Sequence, residues 1–229
     1  MNKKTITGII IALIIIVIIG VVYFASSQGG GENRVLNNQT PNKIDGNAKS
    51  LVVYFSVPET DDLDNMTQDE ENSTVVVDGE VLGNTEYVAR LISEQTDSDL
   101  FRLEPVTPYP TNHEDLLRKA QEEMQNDERP EIKDPIDISE YETIYIGYPV
   151  WNADLPPIIN TFLENNDFDG KTVIPFCTHG GSGLAGTPST IAEKLDNADV
   201  ILNGFELYRS DMESAPEEVD SWLSDIGVK

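Results

Sequence analysis

The chain has 229 residues, and its 15 Lys and Arg residues against 41 Asp and Glu residues give a net charge of −26. This length suits one domain with an appendage, and a hydrophobic content of 39% excludes a globally disordered chain. Such an acidic chain is unsuited to nucleic acid, because a phosphate backbone needs a basic surface. One cysteine and two histidines exclude an internal disulfide and predict no metal site.

An N-terminal apolar run predicts a membrane segment. Residues 9–25 read IIIALIIIVIIGVVYFA, and with residues 6–8 the run reaches about 20 residues, roughly one bilayer span. Lys3 and Lys4 precede it, and because positive charge stays on the cytoplasmic side, we expect the rest of the chain outside the cell membrane. Two interpretations of residues 1–25 remain open. They form an uncleaved anchor, or a secretory signal cleaved near Ala25-Ser26-Ser27, which would release the protein.

Residues 26–48 are rich in Gly, Asn, Gln and Ser, a composition typical of a flexible linker. The charge balance changes sharply beyond it. Residues 1–50 hold 5 of the 15 basic residues and 2 of the 41 acidic ones, which leaves 10 basic and 39 acidic residues in the remainder. An anionic membrane surface repels such an acidic body, so we expect residues 49–229 to form a domain that stands away from the bilayer.

Apolar runs and helical periodicity alternate along residues 49–229. Strands are predicted at residues 51–55, 99–104, 143–148, 172–176 and 199–207. Helices are predicted at residues 84–96, 112–125, 156–164, 187–195 and 217–226. The alternation predicts a doubly wound α/β domain, with a parallel sheet between two layers of helices. Ligands of such sheets bind beyond the carboxyl ends of the strands, so the loops there form the candidate site.

The first of these loops is long and is interpreted as an insertion at about residues 57–82. Its middle, residues 61–72, is heavily acidic. Asp78-Gly79 lies between two short β-forming runs, residues 74–77 and 81–82, and is a strong signal for a hairpin turn.

The two ends of the insertion, residues 56–60 and 83–85, are expected to meet where the first strand gives way to a helix. Backbone N–H groups and hydroxyls at such a helix start can hold a phosphate. A second interpretation of Asn84 and Thr85 is that they only cap the helix. The glycine-rich P-loop motif of nucleotide-binding proteins is absent from the sequence.

Two further loops follow central strands. Residues 148–154 carry Trp151, whose flat face could lie against a ligand, although an ordinary half-buried tryptophan is the alternative. Residues 177–183 place three glycines after His179, which allows a close backbone approach to a ligand, or forms a plain glycine-rich turn. We interpret Cys177 as a small buried hydrophobic residue and His113 as the surface start of a helix. His179 is the better functional candidate.

Several motifs together resemble the flavodoxin superfamily. They are LVVYFS at 51–56, GNT at 83–85, EPVTPYP at 104–110, GYPVW at 147–151 and GKTVIPFCTHGGSG at 170–183. The resemblance covers about residues 49–229 and is strongest to flavodoxin-like proteins whose third loop reads CTHGGSG. It implies a five-stranded sheet of order 2-1-3-4-5 and non-covalently bound FMN.

The resemblance also implies which residues contact FMN. The phosphate would lie against the first loop and the ring between the second and third. The implied cofactor-binding residues are Ser56, Val57, Glu59, Asn84, Thr85, Pro149, Val150, Trp151, Asn152, Thr178, His179, Gly180, Gly181 and Ser182. The chain departs from the family's pattern in two places. The insertion interrupts the usual compact phosphate loop, and Asn152 stands where the family commonly has Trp or Gly. Asn152 enters left-handed backbone conformations more easily than most residues.

FMN carries redox chemistry by itself, so the resemblance implies no catalytic residue. Negative charge near the flavin lowers its potential, and an acidic surface steers docking to a redox partner with a basic face. The leading hypothesis is a membrane-tethered, extracytoplasmic protein that binds FMN and carries electrons between partners. Two alternatives remain: an NAD(P)H-dependent quinone or nitro reductase, and a flavin-free binding module on the same fold.

Overall fold

The computed structural model describes residues 49–229. The predicted anchor or signal at residues 1–25 and the predicted linker at residues 26–48 lie outside the described residues. Between residues 49 and 229, none of the helices has the length and apolar character that a membrane crossing requires.

The chain from residue 49 onward alternates strands and helices as the sequence pattern predicts. The strands are β1 (Ser50–Tyr54), β2 (Thr74–Val77), β3 (Glu80–Gly83), β4 (Asp99–Arg102), β5 (Thr143–Pro149), β6 (Thr172–His179), β7 (Asp199–Val200) and β8 (Phe205–Tyr208). The helices are α1 (Gln68–Ser73), α2 (Asn84–Thr96), α3 (His113–Gln125), α4 (Pro157–Asn165), α5 (Thr187–Lys194) and α6 (Ala215–Asp225). A short 3-10 helix, Met212–Ser214, precedes α6.

Six parallel strands form the main sheet, in the order β4-β1-β5-β6-β7, with β8 also beside β6. The predicted order 2-1-3-4-5 describes this sheet, since β4 is the second strand along the chain that joins it. The predicted number of five strands is wrong, because the fifth strand is split. The run predicted at residues 199–207 forms two short strands, β7 and β8, that both pair with β6.

Pro175 explains the split. The carbonyl groups of Val173 and His179 accept hydrogen bonds from Ile201 and Arg209, at 2.8 and 2.9 Å, so odd-numbered residues of β6 face the fifth strand. Pro175 is therefore turned toward that neighbour but has no N–H group to donate. Gly204 passes so close at this point that a Cβ atom on it would lie 2.5 Å from the Pro175 carbonyl oxygen.

Both faces of the sheet are buried, as the continuous apolar strands predict. Along β1, Leu51 and Val53 pack with residues of α4 and α5 into one core. Val52 and Tyr54, which alternate with them, pack with residues of α2 and α6 into the other. The helices therefore cover both faces, which confirms the doubly wound architecture.

The predicted hairpin of the insertion is present. Strands β2 and β3 are antiparallel, with Val77 opposite Glu80, and Asp78 and Gly79 have φ values of 52° and 83°. Two adjacent residues of positive φ are what a two-residue type I′ turn requires. Helix α1, which the sequence reading did not include, precedes the hairpin. It begins with a capping box in which Thr67 and Glu70 each bond the other's backbone N–H.

Candidate functional site

A cleft of about 220 Å³ opens at the carboxyl edge of the sheet, where the loops after β1, β5 and β6 meet. Twelve of the fourteen residues that the resemblance implied for FMN line it. They are Ser56, Val57, Glu59, Asn84, Thr85, Pro149, Val150, Trp151, Asn152, Thr178, His179 and Gly180. Gly181 and Ser182 belong to the same third loop but are not among the lining residues.

The two ends of the insertion meet as predicted. Gly83 lies so close to Ser56 that a Cβ atom at position 83 would overlap the Ser56 hydroxyl. The backbone N–H of Glu59 donates to the Ser73 hydroxyl at 3.1 Å, which ties the first loop to the end of α1. Helix α2 starts at this junction without a side-chain cap, so N–H groups of its first turn are available to an anion.

Two orphaned polar atoms test whether this cleft suits FMN. In the part of the chain that the structure describes, three buried side-chain polar atoms lack a hydrogen-bond partner, and Asn84 Oδ1 and Arg209 Nε belong to residues that line the cleft. An unpaired buried donor or acceptor costs about 1–3 kcal/mol, so such atoms point to a ligand. FMN offers ribityl hydroxyls to the acceptor, and phosphate and ring carbonyl oxygens to the donor. The residues present therefore fit FMN.

Thr178 joins the three loops. Its hydroxyl is 2.7 Å from the hydroxyl of Thr85 at the start of α2, and its carbonyl oxygen accepts from the N–H of Val150 at 2.9 Å. Thr85 and Thr178 are both buried. The phosphate loop, the second loop and the third loop are thus held in one fixed arrangement by bonds within the protein.

Trp151 is the aromatic residue of the second loop. Its ring meets those of Phe55 and Tyr109 edge to face, with centroids 5.4 and 5.3 Å apart. These contacts hold the indole at the cleft in one orientation. Trp151 thus packs against its neighbours as an ordinary half-buried tryptophan does, and it also lines the ligand cleft.

The second loop turns back sharply just after Trp151. The backbone groups of Trp151 and Asp154 bond each other in both directions, at 2.9 and 3.1 Å. The two residues between them, Asn152 and Ala153, have φ values of 48° and 60°. Asn152 is thus in the left-handed region, consistent with the conformational preference noted from the sequence. Ala153 tolerates that region less well, so the turn carries backbone strain beside the cleft.

His179 organises the third loop with its side chain. The N–H of Gly181 donates to His179 Nδ1 at 2.9 Å, and His179 Nε2 lies 2.7 Å from a carboxylate oxygen of Glu206 on β8. Since Nδ1 accepts, the ring hydrogen is on Nε2 and is donated to Glu206. Both ring nitrogens are therefore used within the protein, and what His179 offers a ligand is the position of its loop.

Cys177 is fully buried at the end of β6, as the sequence indicates. Burial raises the pKa of its thiol to about 12, so the reactive thiolate is scarce at neutral pH. The cysteine is a packing residue.

His113 forms a contact that the sequence reading missed. It starts α3, as predicted, but its Nδ1 also donates to both carboxylate oxygens of Glu59, at 3.0 and 3.1 Å. This hydrogen bond raises the pKa of His113. Burial raises the pKa of Glu59, and outweighs the opposite effect of His113. Asp69 and Glu70 add negative charge near Glu59, and Arg209 adds positive charge near His113.

We expect this pair to stabilise the fold more at pH 6 than at pH 9. A raised pKa of His113 gives stability that is complete below about pH 6.5, its ordinary value, and is lost as the pH rises through the folded value. A raised pKa of Glu59 has the same sign but acts from a lower pH: its contribution is complete below about pH 4.5, the ordinary value, and is lost as the pH rises through the folded value. The variant His113→Gln should lose about 0.5–1 kcal/mol at pH 6 and less at pH 9 in urea unfolding. Arg118→Gln, which breaks an exposed pair with Asp115, is the control, and an equal loss at both pH values for His113→Gln would contradict the prediction.

The cleft also has lining residues that no motif in the sequence marks as part of a binding site. They are Asn72, Ser73, Leu116, Leu117, Ala120 and Arg209. Arg209 directly follows β8, so the rule that ligands bind at carboxyl ends of strands could have identified it if applied to the last strand. The apolar side chains of α3 were predicted as one face of an amphipathic helix, but their position beside the cleft depends on how α3 packs.

We expect Trp151→Ala to weaken FMN binding three- to tenfold, since a stacked aromatic contributes about 0.5–1.5 kcal/mol beyond the area that it buries. Trp151→Phe should keep most of the affinity, because it retains an aromatic face beside Phe55 and Tyr109. Flavin fluorescence titration of the apo-protein measures both variants, with circular dichroism as the check on folding. Unchanged affinity in a folded Trp151→Ala variant would place the indole away from the flavin.

Comparison with known proteins gives a family and several related structures. The family model described as Flavodoxin matches residues 74–226, and no curated protein matches the chain. A protein of Bacteroides eggerthii assigned as a flavoprotein is 26% identical, with a TM-score of 0.60 over 80% of this chain and 100% of its own. A protein of Bacteroides uniformis, also assigned as a flavoprotein, is 28% identical, with a TM-score of 0.58 over 76% of this chain and 98% of its own.

A third structure is a flavoprotein of Lactobacillus acidophilus in complex with FMN. It is 25% identical to this chain, with a TM-score of 0.52 over 76% of this chain and 98% of its own. The match to the family model covers most of the domain, and the sheet order, the helices on both faces and the cleft at the carboxyl edge agree with it. The chain belongs to the flavodoxin family.

Proposed function

We propose that the protein is a membrane-tethered, extracytoplasmic flavodoxin that binds FMN and carries electrons between partner proteins. The family, the fit of the cleft and the FMN complex of the Lactobacillus acidophilus protein support FMN as the cofactor. FMN supplies the exchange of one or two electrons when bound. A flavin-free binding module is the least favoured alternative, because the cleft leaves buried polar atoms that a flavin would satisfy.

The residues of the cleft divide into two groups under this proposal. The start of α2, with Ser56 and Thr85, would hold the phosphate through hydroxyl and backbone N–H groups. The second and third loops, with Trp151 and the backbone at Gly180, would flank the flavin ring. Each group belongs to an element that other contacts hold in place, so little ordering is needed when the cofactor binds.

The distribution of charge is the observation that carries the electron-transfer role. Of the chain's 15 basic and 41 acidic residues, residues 49–229 hold 11 and 39. Five of the acidic side chains at the tip of the first loop and in α1 are exposed: those of Asp61, Asp62, Asp64, Asp69 and Glu71. Such a surface favours rapid, salt-sensitive encounter with a basic partner. The tether is proposed from the apolar run at residues 9–25 and the two lysines before it.

A chemical comparison separates this proposal from the reductase alternative. Flavin absorption bands at about 375 and 450 nm in the purified protein would establish the cofactor. The chemically reduced protein should then pass electrons to a basic haem protein such as cytochrome c, at a rate that falls steeply with salt. Oxidation of NADH or NADPH with a quinone at enzymatic rates, and slow transfer to cytochrome c at every salt concentration, would overturn the electron-carrier role.

One observation keeps the reductase as a second candidate. Leu116, Leu117 and Ala120 of α3 line the same cleft as Trp151, and Leu117 is 45% exposed. A flat apolar substrate could lie against this helix face beside the flavin. The quinone assay above tests this candidate directly.

A further inference from the structure

We propose that Arg209 binds the phosphate of FMN and makes the cleft select FMN over riboflavin. Arg209 follows β8 and lines the cleft from the strand farthest from the phosphate loop. No motif in the sequence singles it out.

Arg209 is the exception among the arginines of residues 49–229. The other four each have a carboxylate oxygen within 3.5 Å; they are Arg90, Arg102, Arg118 and Arg129. Arg209 has no carboxylate within 4.0 Å in this part of the chain, although 39 acidic residues belong to it, and its Nε–H is buried without a partner. A guanidinium left unpaired in so acidic a domain indicates that its anion comes from outside the chain.

The backbone of the third loop gives Arg209 its place. A Cβ atom on Gly180 would lie 3.3 Å from Arg209 Nη1 and 3.5 Å from its Cζ. The guanidinium therefore rests against the backbone of Gly180, where a side chain would crowd it. The glycine thus lets the cation reach into the cleft alongside the loop that would flank the flavin.

The surroundings of the guanidinium favour a phosphate over a ring carbonyl as its partner. Arg209 lines the same cleft as His113 and Glu59, which are bonded to each other at the phosphate loop, and its positive charge lowers the pKa of His113. The phosphate is the charged group of FMN, and a bidentate guanidinium pair is the strongest hydrogen-bonded match to it.

Glu59 gives the chain a need for such a cation. Glu59 is 8% exposed and lines the cleft within the phosphate loop, where any negative charge that its bond to His113 does not neutralise would repel a phosphate. Asp69 and Glu70 of the insertion add to the negative charge around it. The positive charge of Arg209 offsets this repulsion, which lets a phosphate loop interrupted by an acidic insertion still hold a dianion.

The inference rests on FMN binding, so the first measurement is a fluorescence titration of the unaltered full-length apo-protein with FMN and with riboflavin. We expect a clear preference for FMN. Arg209→Gln should weaken FMN binding by about tenfold, as the loss of a charge-assisted hydrogen bond does, and change riboflavin binding less than twofold. Arg209→Lys keeps the positive charge but loses the paired N–H donors of the guanidinium. Its FMN affinity should lie between those of the unaltered protein and Arg209→Gln, and should be more salt-sensitive than that of Arg209→Gln.

Arg118→Gln is the matched control, because it removes an exposed and paired arginine of α3. Thermal unfolding of each apo-variant checks that the fold is retained. An equal loss of affinity for FMN and riboflavin in Arg209→Gln would overturn the inference and assign the guanidinium to the ring or to loop structure. Unchanged affinity for both would overturn it as well. Failure of the unaltered protein to bind FMN would overturn the proposed function along with it.

Discussion

Replacing Gly204 with alanine is expected to lower the free energy of unfolding by about 3 kcal/mol, at the upper end of overpacking effects. The new Cβ atom would lie 2.5 Å from the carbonyl oxygen of Pro175 and 3.3 Å from its carbonyl carbon. These are backbone atoms of the central strand β6, which is hydrogen-bonded on both sides. The overlap cannot be relieved by a side-chain rotation, so either β6 or the segment between β7 and β8 must move.

Urea unfolding followed by circular dichroism measures the loss, and Asn203→Ala is the matched control. The Asn203 side chain is exposed, and the bond from Trp222 goes to its backbone carbonyl oxygen, which the substitution retains. The control should change stability by less than about 0.5 kcal/mol. If Gly204→Ala were equally mild, the two short strands would be able to shift along β6, and the close approach at Pro175 would not be what separates them.

The architecture could be predicted because its signals are local. The apolar strand at residues 51–55 shows burial on both faces without any knowledge of its neighbours. Asp78-Gly79 specifies a turn by the conformations that these two residues tolerate. Three loops of the site were identified because each directly follows a central strand. Ligands of such sheets bind at the carboxyl ends of the strands, which predicts that the three loops form one site.

The features that were missed depend on contacts distant in sequence. Pro175 interrupts the fifth strand only because it faces that strand rather than β5, and a proline in a sequence does not show which side it faces. His113 was correctly placed at a helix start, yet its partner Glu59 is 54 residues earlier in the chain. Arg209 lines the cleft because β8 lies beside β6, an arrangement that follows from the split.

We expect Thr85→Val to destabilise the apo-protein by about 2 kcal/mol, because it leaves the Thr178 hydroxyl buried without a partner. The two hydroxyls are 2.7 Å apart, and the two residues are only 2% and 4% exposed. The double variant Thr85→Val/Thr178→Val removes both polar groups and should recover most of that stability. A double-mutant cycle measured by urea unfolding, with Thr178→Val as the other single variant, therefore gives a coupling energy close to the sum of the losses in the two single variants.

The two single variants and the double variant also separate the support of the fold from the binding of the cofactor. Thr85 stands in the first turn of α2, where a phosphate would accept from its hydroxyl, whereas Thr178 lies at the end of β6. The double variant should thus be stable and yet bind FMN about tenfold more weakly, since the hydroxyl of a phosphate loop cannot be replaced by a methyl group. Thr178→Val alone should lose stability but keep more of the FMN affinity, because Thr85 is then free to donate to the phosphate. Equal FMN affinity in all three variants would show that the Thr85 hydroxyl serves only to join α2 to β6.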